Sequence, residues 1–205
     1  MSRQRVLLAT KNTGKIREIR GILASVPDLT LDTFEDVPFS DVDETGQTFH
    51  ENALLKARAI GEQTGMPVLA DDSGLEVLSL GGEPGVRSAR YAGESADHEA
   101  NNRLLLQRLA EPDSRGGRRD RSARFVTWVV LRLDRHHEFS WQGELRGHIV
   151  ETPRGERGFG YDPLFVPDGW TKTLAEIELA EKNKISHRRR ALQHVLEFFE
   201  QRAVT

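Results

Sequence analysis

The 205-residue chain has no cysteine, so disulfides, thiol nucleophiles and Cys-ligated zinc are excluded from the start. Its seven histidines show neither HExxH nor any other zinc-ligand spacing, and no GxSxG elbow offers a serine nucleophile. Charge of one sign is also missing. With 29 Lys+Arg against 32 Asp+Glu, there is no global field to draw the chain onto nucleic acid or an anionic membrane, so any polyanion it binds is expected to be small. Long hydrophobic runs are absent too. The stretch "MSRQRVLLATKN" reaches Lys11 after an apolar run of about five residues, too short for a signal-peptide core or a membrane span. A soluble, cytoplasmic protein with no membrane partner is the expectation.

What is present suffices for one compact domain over residues 1–205, or one domain with a smaller lobe, burying roughly 70% of its unfolded surface. Arg5 to Thr10 reads as a buried first strand. Ile16, Ile19, Leu23 and Val26 then recur at helical spacing until Pro27, which makes a β-α start. Leu29 to Phe34 reads as a second strand, and "EDVPFSDVDETG" as an acidic loop. Thr48 and Glu51 form a capping box for a helix that Gly65 ends. "PVLADDSGLEVLSL" reads as two short strands around a polar turn, "GGEPGVRSARYAG" as loop, and Asp97 to Ala110 as helix. The polar connector "EPDSRGGRRDRS" precedes an alternating strand over Ser122 to Asp134, and His137 to Gly143 and Leu145 to Val150 follow as a meander. Thr173 with Glu176 caps a short helix and Ser186 a terminal one. The sum is mixed α/β with inserted antiparallel strands.

Several stretches can carry chemistry. "VLLATKNTGKIREI" is a strand feeding a helix, but Ala9 and Ile16 stand where a Walker A loop needs Gly and Ser or Thr, so it is no P-loop. A helix start still presents N–H groups and partial positive charge to an anion. Asp71 and Asp72 lie where an apolar strand meets "SG", the place where α/β sheets hold ligands. In extended backbone the two side chains point to opposite faces, and Asp72, nearer the turn, is the candidate. An "ADDSG" turn can equally use its aspartates to bond backbone N–H groups. Glu44 in "DVDETG" is a candidate second carboxylate for magnesium, or simply part of a solvated loop. In "RGFGYDPLF" an aromatic flanked by glycines can stack on a base, and Phe159 and Tyr161 can alternatively anchor a tight turn. "EKNKISHRRRAL" gathers Lys182, Lys184, His187 and Arg188 around the Ser186 cap, where cations oppose the helix dipole and an anionic or carbonyl-rich ligand would relieve them. The arginines of "SRGGRRDRSAR" lack interleaved aromatics and are diluted by Asp113 and Asp120, so they read as a solvated loop and not as a nucleic-acid contact.

Taken in order, "ATKNTGK", "DETGQTFHENALLKA", "ADDSGLEV", "GVRSARYAG", "GFGYDP" and "KISHR" resemble the Ham1/RdgB family of inosine/xanthosine triphosphate pyrophosphatases, from Val6 to the final helix. The resemblance implies an ITPase-like (Maf/Ham1) α/β fold, with a long mixed sheet and flanking helices in two lobes and an active site in the cleft between them. It further implies a homodimer and Mg2+-dependent cleavage of non-canonical purine nucleoside triphosphates (ITP, dITP, XTP) to the monophosphate and pyrophosphate. By position, Thr10, Lys11, Asn12, Thr13, Gly14 and Lys15 resemble the phosphate-binding loop. Asp72 matches the catalytic acid/base, Glu44 and Asp72 the magnesium ligands, and Ser73 a substrate contact. Phe159, Gly160, Tyr161 and Asp162 match the nucleoside-binding loop, with Lys182, His187 and Arg188 as further substrate contacts. Lys11 departs from the glycine of many relatives, and the Arg-rich connector is longer than the core pattern requires.

Chemistry agrees with this resemblance. Magnesium and lysines would neutralise charge moving onto a pyrophosphate leaving group while a carboxylate-oriented water attacks the α-phosphorus. With an ordinary pKa of about 3.9, an aspartate orients water more readily than it takes a proton. Donors such as Arg188, His187 or Lys182 would pair with a 6-keto purine and be left unpaired by adenine, a discrimination of up to ~10⁴-fold. The alternatives are a Maf-like pyrophosphatase acting on modified or canonical pyrimidine nucleotides, a nucleotide-binding module without hydrolysis, and a nucleic-acid-binding protein.

Overall fold

The computed structural model describes residues 4–94 and 97–203. It holds β1 (Gln4–Leu8), α1 (Thr13–Leu23), β2 (Leu29–Asp32), α2 (Phe49–Thr64), β3 (Val68–Val77), α3 (His98–Ala110), β4 (Ser122–Arg132), β5 (Glu138–Ile149), β6 (Phe165–Pro167), α4 (Leu179–Ile185) and α5 (His187–Ala203). The strands pair in the order β2-β1-β3-β4-β5-β6. β1 is parallel to both β2 and β3, while β5 and β6 are antiparallel, which makes the sheet mixed as expected. Among the described residues no helix is long and apolar enough to cross a membrane. The chain divides into two compact units, whose boundaries fall inside β3, β4 and β5.

Unit 1 comprises the described parts of Met1–Asp72, Thr127–Gly143 and His187–Thr205. Val6, Leu7 and Leu8 are all buried because β1 is covered on both faces. Val6 and Leu8 pack with Ile16 and Ile19 of α1 and with Ala191 and Val195 of α5. Leu7, pointing the other way, packs with Ala53, Ala57 and Ile60 of α2. Both bonds of the Thr48 capping box are made, and Gly65 closes α2 at a φ of 67°, which only glycine adopts cheaply. At Gly143 of β5 a Cβ would lie 2.6 Å from the Ala191 amide nitrogen, so the missing side chain is what lets α5 sit against the strand.

Unit 2 comprises Ser73–Val126 and Glu144–Ser186, with its own core of Leu75, Leu105, Leu109, Phe125, Leu145, Ile149, Leu164 and Phe165. The rings of Phe125 and Phe165 lie 4.8 Å apart, a contact that ties β4 to the short β6. The connector after α3 is a loop, as read.

Several readings need correction. The two short strands around "DDSG" are one continuous strand, β3, since its polar residues find buried partners and do not turn the chain. The two strands of the proposed meander are likewise one strand, β5, because Gly143 is taken by helix packing and not by a turn. The end of "GLEVLSL", Leu78–Leu80, is a 3₁₀ turn and not strand, the glycine-rich "loop" contains a 3₁₀ segment, Gly85–Arg90, and the Thr173 box caps only a 3₁₀ turn. β4 is buried on both faces, with Val126 and Val130 as covered as Val129 and Leu131. Finally, α4 and β6 were not anticipated. Lys182 and Lys184 lie in the last turn of α4, where the dipole favours cations, so they carry no conflict for a ligand to relieve.

Candidate functional site

The register of β1 and β3 places the first cluster, which lies wholly in unit 1. Leu8, the last residue of β1, is aligned with Leu69, so Asp71 and Asp72 continue past the end of β1. There the chain runs through Thr10–Lys15 into α1, at the carboxyl end of parallel strands. Asn12 caps α1 by accepting from the Lys15 amide at 3.0 Å, and Thr10 Oγ1 accepts from the Asn12 amide at 3.2 Å. The N–H groups of Thr13 and Gly14 have no intrahelical acceptor, as at any helix start, and face outward along the dipole.

Asp71 and Asp72 occupy opposite sides of the extended strand. Asp71 Oδ2 lies 3.1 Å from Lys15 Nζ and 3.4 Å from Arg188 Nε, and Arg188 also pairs with Glu18 of α1. This network is deeply buried, with Arg188 only 1% exposed. Burial alone would push the Asp71 carboxyl up, but Lys15, Arg188 and Lys56 together hold it well below the usual carboxylate range. Burial conversely pulls the Lys15 ammonium down, against the attraction of Asp71.

Asp72 meets α2 instead. Asn52 and Lys56, one helical turn apart on the same face, both reach it: Asn52 Nδ2 donates to Asp72 Oδ2 at 3.1 Å, and Lys56 Nζ lies 3.7 Å from Oδ1. The same ammonium lies 2.9 Å from Glu44 Oε1, so the two carboxylates converge on one cation. The acidic loop is clipped in place at its end. The Gly46 amide donates to Asn52 Oδ1 at 2.8 Å, and a Cβ on Gly46 would lie 2.6 Å from that oxygen. Burial is the largest influence on Asp72 and raises its pKa despite Lys56 and Lys15, with Glu44 adding to the rise. Lys56 keeps its proton in spite of burial, because Asp72 and Glu44 stabilise the cation. Glu44 and Asp72 are the hard oxygen donors available to a divalent ion of the magnesium type, which commonly takes one or two carboxylates and completes its shell with phosphate and water, although the Lys56 ammonium stands between them and the described residues form no group of three ligating side chains.

A second cluster lies wholly in unit 2. Gly158 and Gly160 take φ of 75° and 62°, and the Phe159 amide donates to Asp162 Oδ2 at 2.8 Å. Asp162 pairs with the buried Lys182, whose ammonium stands 4.9 Å over the half-buried Phe159 ring. Tyr161 is an anchor: its ring is buried and its hydroxyl donates to the Ser88 carbonyl at 2.9 Å, with burial pushing the phenol pKa up. Asn102 of α3 donates to the Gly160 carbonyl at 3.1 Å and Asn101 to that of Ala89. Ser73, half-buried on β3, belongs to this unit, whereas His187, buried at the start of α5, belongs to unit 1.

The structure thus gathers Lys15, Glu44, Asp72 and Arg188 into one cluster and Phe159, Gly160, Asp162 and Lys182 into another. Lys11 is spent on Asp41, 2.8 Å away across an exposed pair. Sequence reasoning missed Glu18, Asn52 and Lys56. The legible signal for the last two was an Asn and a Lys four apart on a helix whose intervening Ala53 and the following Ala57 are core residues.

Comparison with known proteins follows the same lines. The model of the Ham1 family matches residues 6–198. A dITP/XTP pyrophosphatase of Symbiobacterium thermophilum is 50% identical over 96% of this chain and 95% of its own, and one from Thermus thermophilus is 48% identical over 95% and 91%. The structure of the Staphylococcus aureus Ham1 protein superposes with a TM-score of 0.82 at 39% identity, covering 97% of this chain and 100% of that one. A Coxiella burnetii HAM1 protein gives 0.86 at 37%, covering 97% and 99%.

Proposed function

The chain belongs to the Ham1 family, and from that premise we propose that it hydrolyses ITP, dITP and XTP to the nucleoside monophosphate and pyrophosphate. The observation that carries the reaction is the convergence of Glu44 and Asp72 on the Lys56 ammonium, beside Lys15 and the start of α1. Lys15 and the N–H groups of Thr13 and Gly14 bind the phosphates, with Thr10 and Asn12 shaping the loop. Glu44 and Asp72 would hold magnesium, whose charge would offset that of the triphosphate. Asp72 orients the attacking water toward the α-phosphorus. Lys56 shares its charge between the two carboxylates and fixes their spacing.

In unit 2, Phe159 offers the face on which a purine stacks, and Lys182 the donor for a 6-keto group. Asp162 and Gly160 hold that loop, and Ser73 and His187 are carried as substrate contacts on the family resemblance. Arg188, already engaged by Glu18 and Asp71, serves to hold Asp71 and through it Lys15. The homodimer rests on the family resemblance alone. Phe159→Ala is expected to raise the KM for ITP about 10-fold or more with a smaller change in kcat, since stacking on an aromatic is worth ~1–3 kcal/mol. Steady-state kinetics on the variant checks this.

The deciding experiment is hydrolysis of ITP, XTP, dITP, GTP, ATP and dTTP with and without Mg2+, with pyrophosphate and orthophosphate measured separately. Metal-dependent pyrophosphate release confined to ITP, dITP and XTP supports the proposal. Preference for dTTP would indicate Maf-like pyrimidine chemistry, and orthophosphate release would overturn the assigned bond.

A further inference from the structure

Unit 2 also contains a cavity of ≈ 430 Å³ that shares no lining residue with either cluster. One wall is apolar, formed by Leu106, Leu109 and Pro112 around the end of α3, and the other carries Arg118, Arg119 and Arg121 of the long connector together with the Glu151 carboxylate. This connector is a built loop. The Asp113 amide donates to the Gly117 carbonyl at 2.8 Å, the Gly116 amide returns to the Asp113 carbonyl at 3.0 Å, and the Ile149 amide holds the Arg121 carbonyl at 2.9 Å.

Its cations are poorly matched by anions. Four arginines between residues 115 and 121 stand against Asp113, Asp120 and Glu151. Asp113 is spent on the amides of Arg115 and Gly117, and Asp120 on Ser122. Among the described residues, Glu151 alone forms an ion pair with an arginine of the wall, Arg118. Arg121 donates to two neutral carbonyls, those of Ile149 at 2.6 Å and Val150 at 2.7 Å, and burial lowers its pKa against the attraction of Glu151. Arg119 donates from Nη1 to the Ser79 carbonyl at 3.0 Å, while its Nε is buried without a partner among the described residues. A buried guanidinium N–H left unpaired is costly.

We propose that this cavity binds a small organic phosphate, with its tetrahedral headgroup on Arg119 and its compact apolar body against Leu106, Leu109 and Pro112. Guanidinium forks match phosphate oxygens, and the volume lies in the range of small-molecule sites. Inorganic phosphate satisfies only one wall and binds more weakly.

The test is a titration of the full chain with phenyl phosphate followed by amide shifts in ¹⁵N–¹H spectra. The expected result is saturable shifts at Leu109, Ala110, Gly116 and Gly117, with an affinity at least about tenfold above that of inorganic phosphate. Arg119→Gln should weaken it about tenfold or more, as expected for loss of a charge-assisted hydrogen bond. Ala110→Glu, at an exposed position of the rim, should abolish it by repulsion without disturbing the core. Both variants should keep pyrophosphate release from ITP. Equal binding of inorganic phosphate, unchanged affinity in Arg119→Gln, or no shifts at these amides would overturn the proposal.

Discussion

Asp72→Asn is expected to lower ITP hydrolysis on the order of 10³-fold while leaving the protein folded. On the proposed function, the change removes the charge that would orient water and hold metal, yet it keeps the shape of the side chain. Asn52 can still donate to the remaining carbonyl oxygen, Thr127 Oγ1 still reaches the residue 72 carbonyl at 3.3 Å, and Lys56 keeps Glu44 at 2.9 Å. Because no buried cation is stripped of its last partner, the melting temperature should move by only a few degrees. Pyrophosphate release under saturating ITP, circular dichroism and a thermal melt measure the three quantities together. Residual turnover above about a tenth of the parent rate would remove Asp72 from the mechanism and leave Lys15 and the helix start as the main source of catalysis.

Arg188→Met should produce the largest loss of stability. It leaves the Glu18 and Asp71 carboxylates buried without the guanidinium that both of them hold. Breaking a buried pair in this way costs ~3–5 kcal/mol, which in a chain of this size corresponds to a fall in Tm of about 10 °C. The effect carries a pH signature. Asp71 is held below its ordinary pKa in the folded state, so its contribution is present above the unfolded value of about 3.9 and fades as pH falls below it. The gap in Tm between parent and variant should therefore narrow from pH 7 to pH 3, as measured by differential scanning calorimetry. A gap that stays constant over that range would mean that the carboxylates facing Arg188 are not charged in the folded protein.

Much of this site was legible in the order of the residues. The Thr48 capping box, the glycine that stops α2 and the helix start at Asn12 are local devices, each set by residues within four positions of one another. The opposite facing of Asp71 and Asp72 also follows from the two-residue period of a strand once the backbone is extended. Even the exclusion of a P-loop needed only two residues, Ala9 and Ile16. Local chemistry misled where a tertiary partner overrode it. "ADDSG" has the composition of a turn, but Lys15, Arg188, Asn52 and Lys56 satisfy its aspartates and the strand runs straight through. Gly143 looked like a break between strands and is a seat for α5. Tyr161 looked as available as Phe159 until the Ser88 carbonyl took its hydroxyl.

The sequence by itself determined the family and the reaction class it implies, because motif order and local periodicity depend only on neighbours in the chain. The tertiary structure decided which charges compensate which. Glu18 lies 170 positions from Arg188, and Asp71 lies 117 positions from it, and no local pattern links residues so far apart. Their pairing follows from the packing of α5 and α1 on the same face of β1, where ionic groups out of reach of water must find each other or pay for their isolation in stability.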